Sequence, residues 1–123
     1  MKTFYLALIA VGAVLSSINA HAQEFPHGAS TPTASEVNKH LADKVFNVKL
    51  ADGSSWRLEF KGGGHFFVNT SNGFNGTGQW QAEDGRLCSQ LKGGDRNCGD
   101  VRFHQELFYA KRATGEIIQY VPR

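Results

Sequence analysis

Thirteen lysines and arginines stand against 11 aspartates and glutamates in 123 residues, a formal charge of +2 with histidines neutral. The cations are scattered singly among acids, as in Arg57, Glu59 and Lys61, so the basic stripe of a nucleic-acid binder is missing and nucleic acid is excluded as a partner. The length suits one domain, small enough to bury only about 60 to 65 per cent of its unfolded surface, so a covalent staple carries weight.

Residues 1–22 read as a cleaved export signal: Lys2 gives a positive start, residues 4–15 an uncharged apolar run, and Ala20-His21-Ala22 a small-x-small site before Gln23. The run is shorter than the roughly 20 residues that span a bilayer, and no second one follows. No cysteine sits at the cleavage position, so neither a membrane anchor nor a lipid-modified cysteine is expected. Processing leaves 12 basic against 11 acidic residues, a net charge of +1, on a domain expected in the periplasm or outside the cell. In that oxidising location Cys88 and Cys98 are expected to form one structural disulfide. Its short loop gives about 2.7 kcal/mol in the chain-entropy description. Two cysteines with no histidine pair beside them do not make a closed zinc site, and no metal or cofactor is expected.

Residues 23–32 carry two prolines and no periodicity and read as a flexible lead-in to a single β-domain at 33–123. Thr33-Ala34-Ser35-Glu36 is a capping-box pattern, predicting a short helix over 34–43 with Val37 and Leu41 on one face. From Val45 the pattern changes to period two with glycine-rich turns, a β-meander signature. Phe46, Val48 and Leu50 alternate with Asn47 and Lys49, and Trp56, Leu58 and Phe60 with Arg57 and Glu59. Further strands are predicted at 65–70, 77–83, 86–91, 97–103, 106–112 and 116–121, about eight in all. Every connection is too short for a parallel crossover, so the sheet is expected to be antiparallel and sequential. It is expected to curl into a closed or partly open up-and-down barrel, the helix plugging an end or lying outside; a two-sheet sandwich is the alternative.

Phe66-Phe67, Phe108-Tyr109 and Ile117-Ile118 place large apolar groups on both faces of their strands, so something must cover the second face: the helix and lead-in, or a partner or second copy of the chain. The loop at 71–76 holds two Asn-Gly pairs, read as positive-φ positions, with Phe74 between them. Phe74 either folds back over the barrel mouth or projects as an interface anchor. Asn69-Thr70-Ser71 and Asn75-Gly76-Thr77 match glycosylation acceptors by pattern alone.

Catalytic chemistry is thinly represented. His27, His40, His65 and His104 show no metal-ligand spacing and read as exposed polar residues. Ser54-Ser55 and Ser89 lack a nucleophile frame, and Gly62-Gly63-Gly64 opens onto a strand, which makes it a hairpin turn and not a phosphate cradle.

Asp52-Gly53-x-x-Trp56, Gly78-x-Trp80, Asp84-Gly85-Arg86-Leu87-Cys88, Cys98 and Lys111-Arg112 resemble the pattern of small exported proteobacterial β-domains with an Asp-Gly-x-Leu-Cys turn and a later cysteine. The resemblance spans residues 36–121 and implies a periplasmic location and a disulfide, without an activity. Gly78-Gln79-Trp80 is also similar to the Gly-x-Trp element of lipocalins, but it falls on the fourth strand where theirs is on the first, so no lipocalin function is carried over.

The expected function is therefore a non-enzymatic binding module that engages another envelope or secreted protein, of inhibitor or accessory-subunit type. Phe74, Asn72, Asn75, Phe67, Phe108 and Ile118 are the candidate contacts. The alternative is a small-ligand carrier with Trp56, Phe60, Phe66 and Trp80 lining the barrel interior.

Overall fold

Alternation of apolar and polar residues gives eight strands in a computed structural model that describes residues 23–123; the export signal expected at 1–22 lies outside the described residues. The strands are β1 (Lys44–Lys49), β2 (Ser55–Phe60), β3 (His65–Thr70), β4 (Asn75–Glu83), β5 (Arg86–Leu91), β6 (Arg96–His104), β7 (Leu107–Lys111) and β8 (Ile117–Pro122). Each pairs antiparallel with the next, and β1 also pairs with β8, so the sheet closes into a barrel and the sandwich alternative falls away. The closing seam is short, with Phe46 opposite Pro122 and Asn47 opposite Val121.

Residues directly opposite in an antiparallel pair share a face, so the register fixes what fills the barrel. Phe46 pairs with Leu58, Phe60 with Phe66, Phe66 with Gly78, Val101 with Ala110, and Phe108 with Tyr120. These are the inward residues. Phe60 centres a ring cluster, 5.1 Å from Phe66, 5.4 Å from Trp80, 5.9 Å from Tyr120 and 6.0 Å from Phe46 between centroids. The Trp80 indole satisfies its polar edge by donating from Nε1 to the Lys61 carbonyl at 2.8 Å. Opposite Phe66, glycine is dictated by the neighbouring backbone: a Cβ on Gly78 would stand 2.0 Å from the Gln90 carbonyl oxygen, a position no side chain can occupy.

Helix α1 (Ala34–Leu41) starts as its sequence dictates. The Thr33 hydroxyl accepts from the Glu36 amide at 3.1 Å while the Glu36 carboxylate accepts from the Thr33 amide at 3.1 Å. A third acceptor comes from the barrel itself, where Asp84 Oδ1 takes the Ala34 amide at 2.7 Å. The helix ends earlier than residue 43: Ala42 leaves helical geometry at ψ 130°, and Asp43 takes φ 60° while its amide donates to the Phe60 carbonyl, turning the chain into β1. Val37 and Leu41 are fully buried, so α1 plugs one end of the barrel, as one of the two expected placements had it.

Residues 23–32, expected as a flexible lead-in, are strapped along the outside of β6 to β8. The Gln23 amide donates to the Gly115 carbonyl and its side-chain oxygen accepts from the Ile117 amide, both at 2.9 Å. Phe25 lies under the Arg102 guanidinium at 5.2 Å and the Lys111 ammonium at 5.6 Å, and Ser30 exchanges backbone hydrogen bonds with Phe103. The absence of periodicity hid this because the strap is held by single contacts to strands far along the chain.

Candidate binding surfaces

The barrel has one plugged and one open end. At the plugged end the half-buried His40 imidazole stacks against Phe46 at 5.6 Å and Phe108 at 5.1 Å and meets Phe103 edge-on at 5.0 Å. His40 was expected to be merely exposed; its place in the plug follows from the spacing Val37, His40, Leu41, one stripe of a helix. Desolvation by this packing, with Lys44 nearby second, holds the imidazole below its ordinary pKa.

At the open end Arg112 links the hairpins. Its guanidinium lies over the Trp56 ring at 4.8 Å and pairs with Glu116 at 2.5 Å. The other oxygen of Glu116 accepts the Ala51 amide at 2.8 Å, joining the β7–β8 turn to the β1–β2 turn. On the latter turn Asp52 accepts from the Ser54 hydroxyl and amide, which lower its carboxyl pKa. Below this rim lies a cavity of about 280 Å³ whose floor is Leu87, Val101, Ala110, Ile118 and Tyr120.

The four residues expected to line an interior pocket divide. Phe60, Phe66 and Trp80 do point inward, but they pack against one another and are at least nine-tenths buried. Trp56 alone borders the open cavity.

The residues expected at a partner surface divide as well. Phe108 and Ile118 were assigned outward, and the register reverses that: Phe108 opposes Tyr120 and Ile118 opposes Ala110, all inward, leaving Phe108 1% and Ile118 4% exposed. Their neighbours Tyr109 and Ile117 take the outer face, on the side followed by the lead-in. Phe67 is outward on β3 and half-buried, opposite Glu59 and Thr77. It separates two shallow depressions, one bordered by His65, Gln79 and Gln90, the other by Arg57, Asn69 and Asn75. Along the second runs a polar ladder in which Arg57 donates to Asn69 Oδ1 at 3.3 Å and Asn69 Nδ2 donates to Asn75 Oδ1 at 2.6 Å.

The β3–β4 turn corrects one detail. Gly73 takes φ 93°, but Gly76 does not take a positive φ and belongs to β4. Gly76 is instead closely packed: a Cβ there would stand 3.1 Å from the Phe74 ring and 3.2 Å from Leu91, so both side chains would have to give. Phe74 therefore folds back over Gly76 while staying 52% exposed. The loop is held by Thr70, whose hydroxyl donates to Asn72 Oδ1 and accepts the Phe74 amide at 3.0 Å.

Cys88 and Cys98 are bonded, directly opposite on β5 and β6, as expected. Glu83 lies beside the bridge, paired with Arg96 at 3.0 Å and Arg86 at 3.7 Å. Both sulfurs are spent in the disulfide, so this trio presents no thiolate to a metal ion. No helix among the described residues is long and apolar enough to cross a membrane.

Comparison with protein-family models, curated proteins and solved structures finds no match to this chain.

Proposed function

We propose that this chain is a non-enzymatic binding module of an exported compartment that engages another envelope or secreted protein, as an inhibitor or accessory subunit does. Phe74 carries the reading: a large aromatic, 52% exposed, held at the tip of a turn whose other polar groups are bonded to one another. An aromatic presented on a rigid turn loses little freedom on docking, which is what interface anchors require. Phe67 and the Arg57, Asn69, Asn75 ladder extend the surface along β2, β3 and the start of β4, clear of the lead-in, while α1 lies against the far end of β4 at Trp80 to Ala82. The similarity to small exported proteobacterial β-domains is in keeping with the reading.

Site-specific photocrosslinking from position 74 in the intact envelope tests it. One discrete adduct with a second protein, reproduced with both purified components and lost on Phe67→Ala, is the expected result. An adduct of the chain with itself would replace the partner by a second copy. No adduct from position 74 or 67 would overturn the reading.

A further inference from the structure

The open mouth of the barrel holds an arrangement that a packed core does not need. Tyr120 is 7% exposed, sits among Phe46, Phe60 and Phe108, and lines the floor of the mouth cavity. None of the hydrogen bonds among the described residues engages its hydroxyl. Yet no side-chain oxygen among them is at once sealed from solvent and unpaired, so the hydroxyl keeps an open side, and the space Tyr120 borders is this cavity. A largely buried phenol whose open hydroxyl meets no acceptor within the chain is satisfied from the cavity side, by water or by the oxygen of a ligand.

We propose that the mouth cavity is a binding site for a small neutral one-ring molecule bearing a carbonyl, its ring against Leu87, Val101, Ala110 and Ile118 and its oxygen on the Tyr120 hydroxyl. Size comes from the cavity: about 280 Å³ holds roughly ten heavy atoms at one water-sized volume each. The ring is called for by the aliphatic floor and the Trp56 wall. Charge is set by the rim. Arg112 is already paired with Glu116, and the Lys111 ammonium lies over Phe25, so neither cation calls for a carboxylate. Burial keeps the Tyr120 phenol neutral and therefore a donor. Ser89, Asn97 and Thr114 border the entrance, where the ligand's exposed edge meets hydroxyl and amide groups. This site is independent of the Phe67 and Phe74 surface, and either can fail without the other.

NMR titration of the full mature chain with benzamide, with phenylacetate as the charged contrast, tests the site. Benzamide is expected to bind saturably at about 1 mM or tighter, within the per-atom ceiling for so small a ligand. The shifts should centre on Trp56, Ala110, Ile118 and Tyr120, and phenylacetate should bind more weakly. Tyr120→Phe, which keeps the ring and its packing, should weaken benzamide about three- to tenfold. Ala110→Leu should abolish binding by filling the floor, and if it does not fold, Ser89→Leu at the entrance serves the same purpose. Absence of saturable shifts at the mouth, or affinity unchanged in both Tyr120→Phe and a folded filling variant, would overturn the proposal.

Discussion

The His40 imidazole and the Phe108 ring stack with centroids 5.1 Å apart and planes 22° from parallel, joining the helix plug to the barrel wall. A protonated imidazole would lose solvation there, and its pKa is accordingly depressed by burial first and Lys44 second. The unfolded chain then binds the proton more readily than the folded one, so the stability is fully present above the ordinary imidazole pKa of about 6.5 and is lost as pH falls below it. Urea midpoints should drop between about pH 7.5 and pH 5.5. His40→Leu should flatten that dependence, and an unchanged slope in the variant would show that other groups set it.

The capping contact from Asp84 to the Ala34 amide spans 50 residues of the chain and ties α1 to the β4–β5 turn. Asp84→Ala should cost about 1 kcal/mol, the usual worth of an N-terminal cap. Thr33→Ala should cost a similar amount by breaking the capping box. Chemical denaturation of the single and double variants measures both, and the double variant should depart from additivity because the two acceptors hold the same first turn.

Reduction of Cys88–Cys98, or Cys88→Ser with Cys98→Ser, should cost about 2.7 kcal/mol if unfolded-state entropy dominates. A much smaller loss would mean that the β5–β6 hairpin is already held by its own strand pairing. Midpoints in urea with and without reductant separate the two.

Gly78→Ala should be far worse than its size suggests, because the added carbon meets a backbone oxygen at 2.0 Å and not a movable side chain. A loss of about 3 kcal/mol or more, or failure to fold, is expected from overpacking of this kind. Phe74→Ala should cost only about 1 kcal/mol, since half the ring already faces water. That small loss lets the variant serve as a folded binding control, and melting temperatures of the two variants check the contrast.

Much of the fold was legible because strand alternation is a local property. The eight strands, the capping box, the antiparallel sequential order and the disulfide all follow from neighbouring residues and connection lengths, whereas closure through β1 and β8 does not. What misled was parity where both residues of a pair are apolar. In Phe108-Tyr109 and Ile117-Ile118 composition does not say which member faces inward, and only pairing with Tyr120 and Ala110 decides it. Phe66-Phe67 resolved as expected because Phe60 and Gly78 flank the inward member. The mouth site was harder still. Trp56 was singled out, but Arg112, Glu116 and Tyr120 gain their roles from contacts across the barrel that no spacing encodes. His40 carried a readable helical signal that its polarity masked.

The short join between β1 and β8 has a kinetic meaning. Seven hairpins link neighbours in the chain, whereas the seam brings together Phe46 and Pro122 and so cannot form until nearly the whole meander is laid down. Loop closure over that distance is entropically costly, so joining β1 to β8 should be a slow step of folding. With only two residue pairs, it is also where a fluctuation first opens the wall, and amide exchange should be fastest at Asn47 and Val121 among strand residues that face a neighbour.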